Sequence, residues 1–213
     1  MLYRIQEVIA VHIKNYSNRY IMLIMALVTG ISAGAFTVNG LSAIQREELT
    51  NYIHGFLSLM DNQVIDSNEL LRLAMLENAK IVLILWTLGV MIIGIPFIFA
   101  VIGIKGFIVG FSSGIIIKTL GFKGILFSLF ALLPKEVLIL PALIAIGVNG
   151  MNFSINIIKN KSIKHMFKEN LKADFFAYCF VTLFFSLFIV LGTLVEAYIT
   201  PVLIRIISPI FTK

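Results

Sequence analysis

The sequence predicts an all-α, polytopic membrane protein of about five transmembrane helices, and three observations predict it. Hydrophobic residues make up 59% of the 213 residues and charged residues 13%, with a mean hydropathy of +0.99. A soluble domain carries roughly 45–50% apolar and about 25% charged residues. The apolar residues gather in runs long enough to cross a bilayer, which takes about twenty residues. The third observation is the stretch from Leu132 to Asn152, deep in one such run, which holds two prolines, Lys135 beside Glu136, and two asparagines. Proline removes a backbone donor, and an ionised side chain at bilayer depth costs at least about 2.5 kcal/mol. A segment that merely filled the membrane would hold none of these, so the fourth hydrophobic region is expected to be broken by proline. The whole chain, 1–213, is expected to form one integral membrane domain.

Charge and cysteine content narrow the function classes. Lys and Arg number 17 against 11 acidic residues. In so apolar a chain the surplus reads as the charge that holds cytoplasmic loops in place, not as a nucleic-acid footprint. The single cysteine, Cys179, lies in an apolar run, which excludes an intramolecular disulfide or a thiolate metal cluster. His12, His54 and His165 fall in different loops on both sides of the membrane. No G-x-S-x-G, H-E-x-x-H or phosphate-binding glycine loop is present, and the aspartates all lie in loops. No catalytic residue, metal or cofactor is expected, and the chain is read as a non-enzyme.

The leader, Met1 to Arg19, holds Arg4, His12, Lys14 and Arg19 and lacks a cleavage pattern of small residues, so it is not expected to be a cleavable signal. Ile5, Val8, Ile9, Val11 and Ile13 suit an amphipathic helix on the inner leaflet; a solvated leader is an equal alternative. The first span is expected over Tyr20 to Leu41, with Gly30, Ala33 and Gly34 placed for close approach of another helix.

The loop over residues 42–79 follows. Leu49, Tyr52, Ile53, Phe56, Leu57 and Met60 recur at helical spacing and form one apolar face. Leu49, Tyr52, Ile53 and Phe56 are the candidate partner-binding residues. Packing of the same face on the protein's own span ends is the competing reading. Asp66 with Glu69 resembles a capping box, which would start a second helix through Leu70, Leu73 and Leu76 into span two.

The second span is expected to begin near Ala79 and the third to end near Leu120. Between them the apolar run is interrupted by Gly103-Ile-Lys105-Gly106, which predicts a helical hairpin with Lys105 at its turn. Gly103, Gly106, Gly110 and Gly114 are spaced by three, four and four, the pattern of a helix-packing seam.

The fourth region, Gly124 to Asn156, is too long for one straight span. Either a single kinked helix crosses with Lys135 and Glu136 near mid-depth, or Gly124 to Leu133 is a short re-entrant segment and a new helix starts at Pro134. The broken form is favoured. Proline suits the first helical turn, and the helix dipole favours Glu136 there. A fifth span is expected over Phe175 to Glu196. The tail from Ala197, with Pro201 and Pro209, is expected to lie along the interface.

Lysine and arginine density sets the orientation. The loop over residues 157–173 holds Lys159, Lys161, Lys164, Lys168 and Lys172, whereas Ser42 to Lys80 holds Arg46, Arg72 and Lys80 against Glu47, Glu48, Asp61, Asp66, Glu69 and Glu77. The basic loop and the leader are expected in the cytoplasm and the acidic loop outside. Five spans then place the N-terminus inside and the C-terminus outside.

The run Leu132-Leu-Pro-Lys-Glu-Val-Leu-Ile-Leu-Pro-Ala-Leu resembles the signature of the stage II sporulation protein M family, in which a second proline, here Pro141, follows the first, here Pro134, by seven residues. Leu194-Val-Glu-Ala-Tyr-Ile-Thr-Pro201 is similar to that family's glutamate-alanine-x-x-threonine-proline ending, which marks Glu196 and Pro201. The glycine-rich third span, the length and the outer first loop fit as well. Pro134, Lys135, Glu136, Pro141, Glu196 and Pro201 are thus the family-motif positions. The chain departs from the pattern at Lys135-Glu136, where broader members often have His-Gly.

The resemblance implies a non-catalytic membrane scaffold of the sporulation engulfment machinery in a Firmicute. It would sit on the mother-cell side of the septum and position peptidoglycan hydrolases, the stage II sporulation proteins D and P, for peptidoglycan remodelling. The expected partners are those hydrolases and the lipid bilayer, without nucleic acid; homo-oligomerisation stays open. The alternative is a membrane subunit of a transporter with its substrate site at the broken fourth helix.

Overall fold

Glycine and small residues decide how the first helices of the bundle meet. In the computed structural model, which describes residues 16–62, 66–161 and 168–207, helix α1 (Ser17–Thr37) continues as a 3-10 turn to Gly40. It lies along α4 (Gly94–Leu120) in the same direction. A Cβ at Gly30, Gly34, Gly106 or Gly110 would collide with backbone of the facing helix, at Gly103, Phe107, Leu27 and Ile31 respectively. The missing side chains are what let the two backbones touch. Gly114 extends the seam toward Ala35 and Val38.

Among the described residues, five helices are long and apolar enough to cross a bilayer: 17–40, 67–90, 94–120, 133–158 and 172–205. No strand occurs among the described residues. Helix α2 (Ala43–Asn62) follows the first span. Helix α3 (Ser67–Val90) starts where the Asp66 carboxylate accepts from the Asn68 amide at 2.9 Å, with Glu69 in its first turn.

Here the structure corrects the expected hairpin. Because α3 starts at Ser67, its 24 residues reach the far side by Val90, a rise of about 36 Å. The chain therefore turns at Met91 to Ile93, and Lys105 lies within α4, eleven residues past its start. The turn is built from apolar residues with Gly94 and Pro96 just beyond it. Its Met91 carbonyl is not left bare, since the Ser154 hydroxyl donates to it at 2.9 Å and the Gly94 amide at 3.1 Å. Gly103 and Gly106 belong to the packing seam and make no turn.

Gly121, with φ +62°, reverses the chain after α4; that backbone region strains any residue with a Cβ. Helix α5 (Phe122–Ala131) folds back on α4, with Gly124 against the backbone of Ile116 and Ile117. Ten residues rise roughly 15 Å, half of a hydrocarbon core of about 30 Å. Helix α6 (Leu133–Lys161) then starts afresh and runs through Pro141 without interruption. The fourth region is thus broken before Pro134, as the favoured reading has it.

Helix α6 is the centre of the bundle. Its spanning window is 78% buried, against 22–28% for the other four. Ile139, Leu143, Ile146 and Val148 pack with Leu23, Leu85, Ile98 and Ile102. Gly150 meets Gly89 of α3. The Asn149 amide donates to Tyr178 O at 3.0 Å and to the Thr182 hydroxyl at 3.2 Å, and the Tyr178 hydroxyl donates to Trp86 O at 2.7 Å. The asparagine that looked foreign in an apolar run therefore ties α6 to α7 (Lys168–Leu194).

The second correction concerns the tail. After α7 the chain widens into a π-turn, Val195–Ile199, and continues as α8 (Thr200–Ile207). Pro201 is the second residue of α8 and does not stop the helix. The wider turn offsets the hydrogen-bond ladder by one residue just before the proline, with the Thr200 amide donating to Val195 O. The fifth span therefore extends to Arg205, where an interfacial tail was expected. Residues beyond Ile207, and the leader before Tyr16, lie outside the described residues.

Candidate functional site

The break between α5 and α6 gathers four charged residues of the spanning helices, Lys105, Lys135, Glu136 and Glu196. Leu132 links the two helices in a single step, its amide donating to Ser128 O at 3.0 Å. Pro134 is the second residue of α6, where its missing N–H would have had no intrahelical partner. Glu136 follows in the first turn, where the helix dipole favours a carboxylate.

Adjacent residues on a helix point about 100° apart, and Lys135 and Glu136 use that divergence. The Glu136 carboxylate faces α4, and its Oε1 lies 3.6 Å from Lys105 Nζ. Lys135 turns the other way and its Nζ donates to Glu196 Oε1 on the π-turn. Two ion pairs thus join three parts of the chain at one level of the bundle, and the four charges sum to zero. Burial differs between them. The Lys105 and Glu136 side chains are 15% and 7% exposed, those of Lys135 and Glu196 both 20%. Neutralised pairs are how charge is tolerated at depth, and removing one partner leaves the other uncompensated.

The pairing gives each family-motif position a place. Pro134 opens α6, Pro141 lies inside it, Lys135 and Glu136 reach to the two flanks, Glu196 lies in the π-turn and Pro201 just beyond it. Such single wide turns are frequent at functional positions. The Tyr198 hydroxyl of the same turn donates to Asn68 Oδ1 at 3.1 Å, tying it to the start of α3. Lys118, the other lysine of α4 near the membrane, donates to Asn39 Oδ1 at 2.7 Å.

Lys105 is the participant that sequence reasoning missed. Its assignment to a turn removed it from consideration as a partner for Glu136. The capping box at Asp66 held the signal: counting a full span from Ser67 ends it at Val90 and leaves Lys105 inside the next helix. Ser128 was also missed. It is 8% exposed, and its Oγ and the Glu136 Oε2 are buried without a hydrogen-bond partner among the described residues.

The candidate partner-binding face divides. Leu49 and Ile53 are half-buried, and Ile53 packs on Phe127, Ala131 and Ile204 of α5 and α8. The Thr50 and Thr119 hydroxyls lie 3.4 Å apart. Helix α2 thus rests on the ends of α4, α5 and α8. Tyr52 is 73% exposed and Ile44 72%. Phe56 belongs to α2, but its side chain lies outside the described ones.

No group of three or more His, Cys, Asp or Glu side chains converges among the described residues. A family model described as Stage II sporulation protein M matches residues 22–201. No curated protein and no solved structure matches the chain. The matched range runs from the glycine seam of α1 through the break to Pro201.

Proposed function

The chain belongs to the stage II sporulation protein M family, a sporulation-related membrane protein, and on that premise we propose that it is a non-catalytic scaffold of the engulfment machinery. In this reading it sits in the septal membrane on the mother-cell side, with the leader and the basic loop in the cytoplasm and α2 and the tail outside. It holds peptidoglycan hydrolases, the stage II sporulation proteins D and P, at the septum. The observation that carries the proposal is Tyr52, 73% exposed on a helix whose next residue, Ile53, packs on α5 and α8. Interface energy concentrates in a few aromatic and large apolar anchors, and a helix already docked on the bundle offers such an anchor at lower entropic cost.

Double replacement of Tyr52 and Phe56 by Ala tests it. The variant is expected to accumulate at the normal level, lose its hydrolase on co-purification from cross-linked sporulating cells, and stall engulfment with septal peptidoglycan uncut. A variant that keeps the hydrolase and completes engulfment removes α2 as the docking surface. If deletion of the gene leaves septal remodelling unchanged, the scaffold itself is wrong.

One observation speaks for transport as a second reading. Half-helices meeting at depth beside charged groups mark substrate sites in many transporters, and α5 meets α6 in that way at Glu136. An ATPase gene beside this one, in place of sporulation genes, would favour it.

A further inference from the structure

A groove of about 340 Å³ opens between α1, α4, α5 and α6. Its walls are apolar apart from Ser113, and Ile117, Ile125, Leu129 and Leu133 at its rim are exposed on the bundle's outer surface. Its floor is not apolar. Ser128 and Glu136 line it, 8% and 5% exposed, and their Oγ and Oε2 are both buried without a hydrogen-bond partner among the described residues. Buried polar atoms are ordinarily paired, so these two call for a group from outside the described residues.

The chemistry of that group follows from what Glu136 already has. Its charge is balanced by Lys105 at Oε1, so a second cation would enter against the field of the lysine. A carboxylate oxygen only accepts, so Oε2 calls for a neutral donor. The Ser128 hydroxyl both donates and accepts and can serve a second oxygen on the same ligand. A volume of about 340 Å³ is on the scale of a small-molecule site, which begins near 300 Å³. The surroundings supply an apolar chain. We infer that this groove binds a neutral, hydroxyl-bearing lipid of the bilayer, its hydroxyl donating to Glu136 Oε2 and its acyl chain lying against Leu129 and Leu133. The inference is independent of the scaffold reading, because no residue of α2 lines the groove.

The test uses the full chain in phosphatidylcholine nanodiscs with a diacylglycerol that carries a photoactivatable group on one acyl chain. A matched probe has its free hydroxyl methylated. The alcohol is expected to label residues 117–133 at least tenfold more than the ether, with peptide mapping by mass spectrometry. Leu129→Trp, which fills the rim, is expected to cut that labelling about tenfold without changing the melting temperature. Should that variant fail to fold, Ile125→Trp serves in its place. Ser128→Ala is expected to reduce the preference for alcohol over ether. Equal labelling by the two probes would overturn the hydroxyl's role. Labelling that ignores the rim substitutions, or does not rise above the general bilayer level, would overturn the site.

Discussion

Helix α4 is held on one side by backbone and on another by charge. Along α1 the contact is made by what is absent: no side chain at Gly106 or Gly110, so many weak dispersion contacts sum over the seam. Toward α6 the apolar packing of Ile98 and Ile102 is joined by an ion pair, Lys105 with Glu136, in surroundings where an unpaired charge is costly. The first joint depends on shape and fails gradually. The second depends on stoichiometry and fails when one partner is lost. A substitution that adds volume therefore probes the seam, and one that removes charge probes the break.

The largest effect is expected at the break. Glu136→Ala strands Lys105 in the bundle and is expected to cost about 3–5 kcal/mol, seen as a lower melting temperature in detergent and low accumulation in cells. Adding Lys105→Met is expected to recover most of the loss. If the double variant is no better than the single one, the two groups are not coupled and the joint is not electrostatic.

At the seam, Gly110→Ala is expected to cost about 1–3 kcal/mol, the usual range for forcing volume into a filled interface. Gly40→Ala is the internal control, since nothing lies within 4 Å of a Cβ there, and it is expected to change stability by less than about 0.5 kcal/mol. Equal effects at the two glycines would mean the seam is not close-packed.

These two joints were unequally legible in the sequence. The glycine spacing is a property of one continuous stretch, so Gly103 to Gly114 announce a seam without any knowledge of the partner. Pro134 likewise states locally where a helix begins, and the break follows from it. The ion pairs are not local. Lys135 meets a residue 61 positions away, and nothing near Glu196 names it. Two local signals also misled. Gly103 and Gly106 look like turn punctuation although they serve packing, while the real turn, Met91 to Ile93, is apolar. Pro201 looks like a stop, but a π-turn carries the helix past it.

A smaller effect is expected where geometry alone is at stake. Pro134→Ala restores an N–H at a position that needs none and loosens the unfolded chain, for a loss of about 0.4–1 kcal/mol. A larger loss, with α5 and α6 fused into one helix by cross-linking distances, would show that proline itself imposes the break.

The account rests on the charges at the break being architecture and not chemistry, and the pair between α6 and the π-turn tests this most directly. Exchanging the two residues, Lys135→Glu with Glu196→Lys, keeps an ion pair and reverses its direction. Each single change places like charges together and is expected to abolish accumulation, while the exchange is expected to restore both accumulation and engulfment in sporulating cells. A double variant that accumulates normally and reaches the septum, yet leaves engulfment blocked, would contradict the account and assign these charges a direct part in engulfment.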